Sequence, residues 1–293
     1  MPKSNYIGRF APTPSGSLHF GSVIAALGSF LQARQQQGQW LVRIEDIDHP
    51  RTIPGADKFI LEQLETLGLH WDGEVVYQTQ RHALYQTALE RLKELNLVFP
   101  CACTRNEIAN KPYPGTCRNK NTEDHVGQSL RVLTDNQELR FNDLLQGDYS
   151  QLLESDVGDF VIKRTDGLFA YHLVVVVDDA EQGITEIVRG ADLLDSTPRQ
   201  IYLQKQLDLP VPDYLHLPIA LNKQGQKISK QTHAEAIELN KPCKVLFQAL
   251  KFLGQCPPHE LVNSNVESLL NWSIKHWDIA KIAKLNEINT SET

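Results

Sequence analysis

Arg9-Phe10-Ala11-Pro12-Thr13-Pro14-Ser15-Gly16-Ser17-Leu18-His19-Phe20-Gly21-Ser22 is the stretch from which the fold is read. Before it, Tyr6 to Phe10 alternates enough apolar residues to predict a short buried strand. After it, Val23 to Gln36 is rich in Ala, Leu and Gln, lacks proline, and predicts a helix. Pro12, Pro14 and Gly16 turn the chain between the two and deny it regular structure. A strand that turns sharply into a helix N-terminus suits a phosphate, because free backbone N–H groups and the helix dipole both face it. Ser15, Gly16, Gly21 and Ser22 are small enough to let a nucleotide approach the backbone, and His19 can donate to phosphate oxygens.

Outward from this stretch the pattern stays α/β. Trp40 to Ile47 predicts a second strand, giving β-α-β with residues 23–36 as the crossover. The polar exit Asp46-Ile47-Asp48-His49-Pro50-Arg51 then lies at the carboxyl edge of the sheet, where open α/β sheets bind ligands. Residues 55–67 and 80–95 carry apolar positions three and four apart and predict helices that pack the sheet. Near Val98 the periodicity fades, and residues 98–158 read as an insertion between two halves of the core, with strand-like pieces at 130–133 and 139–141. The second half, 159–232, holds a strand at 160–163, a strand at 184–188 and a helix at 193–207; residues 233–293 form a small helical part with helices at 245–253 and 259–272. Leu173 to Val177 stays open, since four consecutive valines favour a strand.

Composition sets the class. With 41% hydrophobic and 22% charged residues this is an ordinary globular chain, long enough for about two domains. It has no run of about 18 apolar residues and no signal peptide, so a cytoplasmic protein without membrane contact is expected. A net charge of −7 weighs against nucleic acid as partner unless a local surface is basic.

Three of the five cysteines, Cys101, Cys103 and Cys117, crowd into 17 residues. That spacing suits a metal site in a reducing compartment better than a disulfide framework. Three thiolates need a fourth ligand, and His125 is the chemically ordinary one. Cys243 and Cys256 read as plain core or surface residues. A second cluster of interest is Lys227-Ile228-Ser229-Lys230, on a polar loop after the predicted strand Leu217 to Leu221. Its two lysines can close over a polyphosphate, although such a loop alone is more often a solvated basic turn.

Taken together, these stretches resemble class I aminoacyl-tRNA synthetases of the glutamyl branch. His19-Phe20-Gly21-Ser22 is similar to the class's HIGH motif, with Ser22 in place of the second histidine, and the run from Arg9 to Gly21 is similar to the glutamyl version. Lys227-Ile228-Ser229-Lys230 resembles the KMSKS loop, in the order the class requires. Tyr171-His172 opens a string like the glutamyl YHLA…VVDD segment, which the family folds as a helix, and Ile187 to Asp192 resembles its IRG-D string.

The resemblance implies a Rossmann-like catalytic core, residues 1–97 and 159–232, and an ATP site made by Pro12, Ser15, Gly16, His19, Gly21 and Ser22 with Lys227, Ile228, Ser229 and Lys230. His19, Lys227 and Lys230 would stabilise the departing pyrophosphate, with Mg2+ accompanying ATP. Arg9, Ala11, Thr13, Glu45, Tyr171 and Arg189 would hold L-glutamate: arginines for carboxylates, Glu45 for the ammonium, and Arg189 as the group arguing for glutamate over glutamine. Tyr113 would complete a structural zinc site with the three cysteines, placed in an acceptor-binding-like insertion.

Only about sixty residues follow Lys230, which leaves no room for an anticodon-binding domain. The resemblance then narrows to truncated members of the branch that attach glutamate to queuosine in the anticodon loop of tRNA(Asp), expected here as a monomer. Three alternatives remain at this level: a small-molecule amide ligase of the same fold, a conventional truncated glutamyl enzyme, and a silent tRNA-binding paralogue.

Overall fold

The computed structural model describes residues 5–108, 112–120, 127–222, 224–228, 237 and 239–290. β1 (Ile7–Phe10) leads through the Pro-rich turn into α1 (Phe20–Gln35), followed by β2 (Gln39–Ile44), α2 (Ala56–Thr66), β3 (Val76–Tyr77) and α3 (His82–Glu94). Next come β4 (Val98–Cys101), α4 (Arg105–Ile108), β5 (Ser129–Val132), β6 (Glu138–Asp143), β7 (Gly147–Leu152), α5 (Leu153–Asp156) and β8 (Phe160–Lys163). The chain returns with α6 (Tyr171–Glu181), β9 (Glu186–Gly190), α7 (Thr197–Gln206), β10 (Asp213–Leu217) and β11 (Ile219–Leu221). Helices α8 (Pro242–Phe252) and α9 (Val266–His276) precede β12 (Glu287–Asn289), which pairs parallel with β11.

Two sheets carry the core. β1, β2 and β3 are parallel neighbours, and the second sheet has the order β7-β6-β10-β9. They meet at one edge, where Ile7 N–H donates to Thr185 Oγ1 and Thr185 N–H to the Ile7 carbonyl, each at 2.9 Å. Helix α1 lies across this junction and is buried along most of its length. On its other side sit α8 and α9, tied to it by an edge-to-face contact of Phe20 with Phe252 and by Trp277 donating to Gln32 at 2.7 Å.

The expected elements form, with shifts that have local causes. Strand β2 stops at Ile44 rather than Ile47 because Glu45 N–H leaves the ladder to bond the Pro12 carbonyl at 3.0 Å. The expected strand 217–221 splits at Pro218, which has no N–H to donate. The helix expected over 193–207 begins as a 3-10 turn, with α7 proper starting at Thr197. Similarly, 259–272 divides into a 3-10 turn and α9, whose Asn265 caps the Ser268 N–H at 2.7 Å. The valine run is helical, in α6: each valine sacrifices only a few tenths of a kcal/mol of helix propensity, and burial on all sides outweighs it.

Strand pairing runs across residue 158 in both directions. Antiparallel β4-β5-β8 joins residues on either side of it, and the hairpin β6–β7 is added to the second core sheet through β10. Among the described residues no helix is long and apolar enough to cross a membrane.

Candidate active site

His19 is the N-cap of α1, and its Nδ1 accepts the Ser22 N–H at 3.2 Å. That bond leaves the ring proton on Nε2, a donor for an anion at the helix start. The turn before it is pinned from three sides: Glu45 N–H to Pro12 O, Ile53 N–H to Pro14 O, and Leu18 N–H to Gln63 Oε1 at 2.8 Å. Gly21 allows a close approach, since a Cβ there would stand 3.1 Å from the Ile228 carbonyl and 3.2 Å from the His19 ring, tighter than side chains usually sit. This close approach brings the two motifs, some 200 residues apart in sequence, together.

A cavity of about 630 Å³ opens between them, lined by Pro12, Ser15, His19, Gly21, Ser22, Lys227 and Ile228. Lys227 is ion-paired to Asp192, and Ile228 N–H bonds the Ala220 carbonyl at 2.8 Å. Ser229, Lys230 and His125 lie outside the described residues. A larger cavity of about 1110 Å³ takes in Ala11, Glu45 and Tyr171. Thr13, Arg51 and Asp192 line both cavities, so the two are lobes of one cleft. Arg51 ends the polar exit expected at the ligand-binding edge and Asp192 ends the string that resembles IRG-D, but neither was among the expected site residues.

Behind the larger lobe lies a buried ionic network. Arg43 is fully buried and sits 2.8 Å from Asp179, 3.4 Å from Glu45 and 3.6 Å from Asp178. Arg9 donates to Asp179 through Nε at 3.1 Å and Nη2 at 3.5 Å, so two of its nitrogens face an internal carboxylate. Burial pushes the Glu45 carboxyl above its usual range against the pull of Arg43 and Arg9. Burial would raise Asp179 as well, but Arg43 and Arg9 together hold it below. Burial raises the Tyr171 phenol, which feels the charges of Arg189, Glu45 and Arg9 in turn. Those four residues therefore share one neighbourhood, and Arg9 and Arg189, both buried, are not among the residues that line the two lobes.

The cysteine cluster also converges. The sulfurs of Cys101, Cys103 and Cys117 lie within 4.8 Å of one another, Cys103 and Cys117 at 3.6 Å. The Tyr113 hydroxyl is 3.4 Å from Cys101 Sγ and 3.9 Å from Cys103 Sγ. Tetrahedral Zn–S bonds of about 2.3 Å put sulfurs about 3.8 Å apart, so the donor set fits such an ion. Tyr113 is held there by its N–H to the Val157 carbonyl at 3.0 Å and by the Arg131 guanidinium 4.1 Å over its ring. Gly158, at φ +72°, passes so close that a Cβ would be 2.4 Å from Tyr113 backbone atoms. The cluster borders the larger lobe, whose wall includes Ala102, Cys103 and Thr104, and it does not line the smaller lobe between the two motifs.

The α/β core with a two-lobed cleft at the junction of its sheets matches the catalytic domain of class I tRNA synthetases (E and Q), over residues 7–261, and the chain belongs to that family. Its likeness to glutamyl-Q tRNA(Asp) synthetases runs nearly end to end. It is 52% identical to that of Pectobacterium atrosepticum, over 98% of this chain and 89% of the relative, and 51% identical to that of Thiobacillus denitrificans, over 94% of each. The crystal structure of a glutamate tRNA ligase from Elizabethkingia meningosepticum, in complex with its amino acid, shares the fold. It superposes with a TM-score of 0.80 at 22% identity, over 98% of this chain and 68% of that one.

Proposed function

We propose that the chain activates L-glutamate with ATP and transfers it to queuosine in the anticodon loop of tRNA(Asp). The observation that carries this is the near full-length likeness, at about half identity, to glutamyl-Q tRNA(Asp) synthetases. In the first step a glutamate α-carboxylate oxygen attacks the α-phosphorus of ATP. The bond to the bridging oxygen breaks, and pyrophosphate leaves. In the second, an acceptor hydroxyl attacks the mixed anhydride and releases AMP. Positioning and charge neutralisation carry both steps, without a protein nucleophile. Mg2+ bound to ATP would supply charge neutralisation on the phosphates.

The smaller lobe suits ATP. His19, Gly21 and Ser22 at the start of α1 line it, and Ser22 offers a hydroxyl where the class has an imidazole. Lys227 would exchange Asp192 for the pyrophosphate, with Lys230 as its partner. Glutamate belongs at the junction: Glu45 toward the ammonium, Ala11, Thr13 and Tyr171 as walls, and Arg189 on the side-chain carboxylate. The larger lobe extends past this point to Cys103, Arg131 and Arg164, which leaves room for an unstacked acceptor base. With radiolabelled glutamate and ATP, label should enter an isolated queuosine-containing anticodon stem-loop. Label on the 3′ adenosine of tRNA instead, with none on the stem-loop, would mark a conventional glutamyl enzyme.

The thiol cluster would hold one structural zinc, with Cys101, Cys103, Cys117 and the Tyr113 phenol as ligands. Metal analysis of chelator-washed protein should find about one zinc per chain. Cys101→Ser should lose it, together with the stability of the β4-β5 region. A well-folded, metal-free wild type would leave the cysteines as core.

A further inference from the structure

Arg9 and Arg189 are both buried beside the glutamate end of the cleft, yet their partners differ in charge. Arg9 faces the Asp179 carboxylate directly. Arg189 meets only neutral groups: Nε donates to His216 Nε2 at 3.0 Å, and Nη2 to Thr197 Oγ1 at 2.8 Å and to the Leu193 carbonyl at 3.4 Å. Its Nη1 is shut off from solvent and has no hydrogen-bond partner among the described residues. A buried guanidinium in contact with uncharged acceptors keeps its attraction for an incoming anion, and a donor left unpaired there is costly until one arrives.

Sheet register builds this arrangement. On β10 His216 lies opposite Arg189 of β9, and Tyr214 lies opposite Asp143 of β6. His216 and Arg189 are thus level on neighbouring strands, Asp143 is level with Tyr214 two residues before His216, and none of the three is more than 5% exposed. Asp143 Oδ2 is 2.6 Å from His216 Nδ1. The same carboxylate accepts the N–H groups of Leu145 at 3.0 Å, Gln146 at 2.9 Å and His216 itself at 3.1 Å. An ionised Asp143 can only accept, so the imidazole carries its proton on Nδ1 and turns the Nε2 lone pair to Arg189. The Tyr214 ring stacks on His216 at 7° and braces it. Burial holds His216 below its usual range despite Asp143, which keeps the ring neutral.

We infer that Asp143 and His216 are positioning residues for amino-acid selection, holding Arg189 as a cation with no carboxylate against it and with Nη1 left for the substrate. A neutral imidazole orients the guanidinium without cancelling its charge, where a carboxylate in direct contact would do both. The inference rests on the reading of Arg189 as the group that takes the glutamate side-chain carboxylate.

The test is ATP–pyrophosphate exchange by the full chain, with KM measured separately for glutamate and for ATP. Asp143→Asn puts an amide N–H toward the ring, favours the Nε2–H tautomer and sets two donors against each other at Arg189. It should raise the glutamate KM roughly 10- to 100-fold, the range for disturbing a charged hydrogen bond, and move the ATP KM less than about threefold. Nitrogen NMR of the labelled imidazole should show the proton moving from Nδ1 to Nε2. Equal rises in both KM values, or an unchanged glutamate KM, would overturn the inference. Should Asp143→Asn fail to fold, His216→Gln and His216→Leu decide: the Gln side chain offers an acceptor and should retain more glutamate affinity, and equal values overturn it. Arg189→Ala separates the two ideas. A glutamate KM unchanged in that variant removes the underlying reading, whereas a loss there beside an unaffected Asp143→Asn removes only the positioning role.

Discussion

Arg189→Ala should reduce glutamate-dependent ATP–pyrophosphate exchange more than about 100-fold in kcat/KM, with the ATP KM nearly unchanged. The side chain is 5% exposed, and three of its N–H groups are committed to His216, Thr197 and Leu193. Those on Nη1 have no acceptor among the described residues. A glutamate side chain seated there would form charged hydrogen bonds out of water, each at the strong end of the range. In the alanine variant its carboxylate would be buried opposite a cavity, still without solvent. Glutamine should suffer far less, because its neutral amide never gained the ionic part; the glutamate-to-glutamine preference should therefore fall with the activity. Near-wild-type exchange in a folded Arg189→Ala protein would detach glutamate selection from this residue.

Arg43→Met should be the most destabilising single change behind the site, at about 3–5 kcal/mol. Arg43 is fully buried against Asp178, Asp179 and Glu45, and burial opposes its charge while the three carboxylates sustain it. Methionine fills much the same space, so the loss is one of charge rather than packing. It leaves three buried carboxylates facing Arg9 and the half-exposed end of the network, where Arg81 holds Asp178 at 2.7 Å. One of them should then take up a proton. The deficit seen in denaturant unfolding should accordingly shrink as pH is lowered from 7 toward 5, because protonation relieves the repulsion in the variant. A deficit below about 1 kcal/mol at pH 7 would mean the network contributes no more than surface ion pairs do. Arg81→Met provides the comparison: Gln78 and Tyr85 still bond Asp178, at 2.8 Å and 3.0 Å, so its cost should be smaller.

Local chemistry determined a large share of the molecule. The turn between β1 and α1 was legible because proline and glycine restrict backbone angles whatever surrounds them. Helices α2 and α3 were legible because a period near 3.6 can bury one face only as a helix. Cys101, Cys103 and Cys117 announced a metal-type cluster through spacing alone, and the two lysines and His19 lay in stretches whose order along the chain was itself informative.

What the sequence could not decide depends on partners distant in the chain. The four valines of α6 favour a strand locally; their helix follows from burial on every side and from Asp178 and Asp179, which must reach Arg43, Arg81 and Arg9. Asp143 lay in a stretch read as insertion, and nothing nearby linked it to His216, 73 residues away. The β10-β9 register sets His216 level with Arg189, and the pairing of β6 with β10 brings the Asp143 side chain within reach of His216. Likewise, only the tertiary fold gave Arg9 an internal carboxylate and Arg189 a neutral imidazole. Residue type states that an arginine carries a charge. Whether that charge is already met or still awaits a ligand depends on which strands lie side by side, and hydrogen bonding between strands is settled by the whole chain.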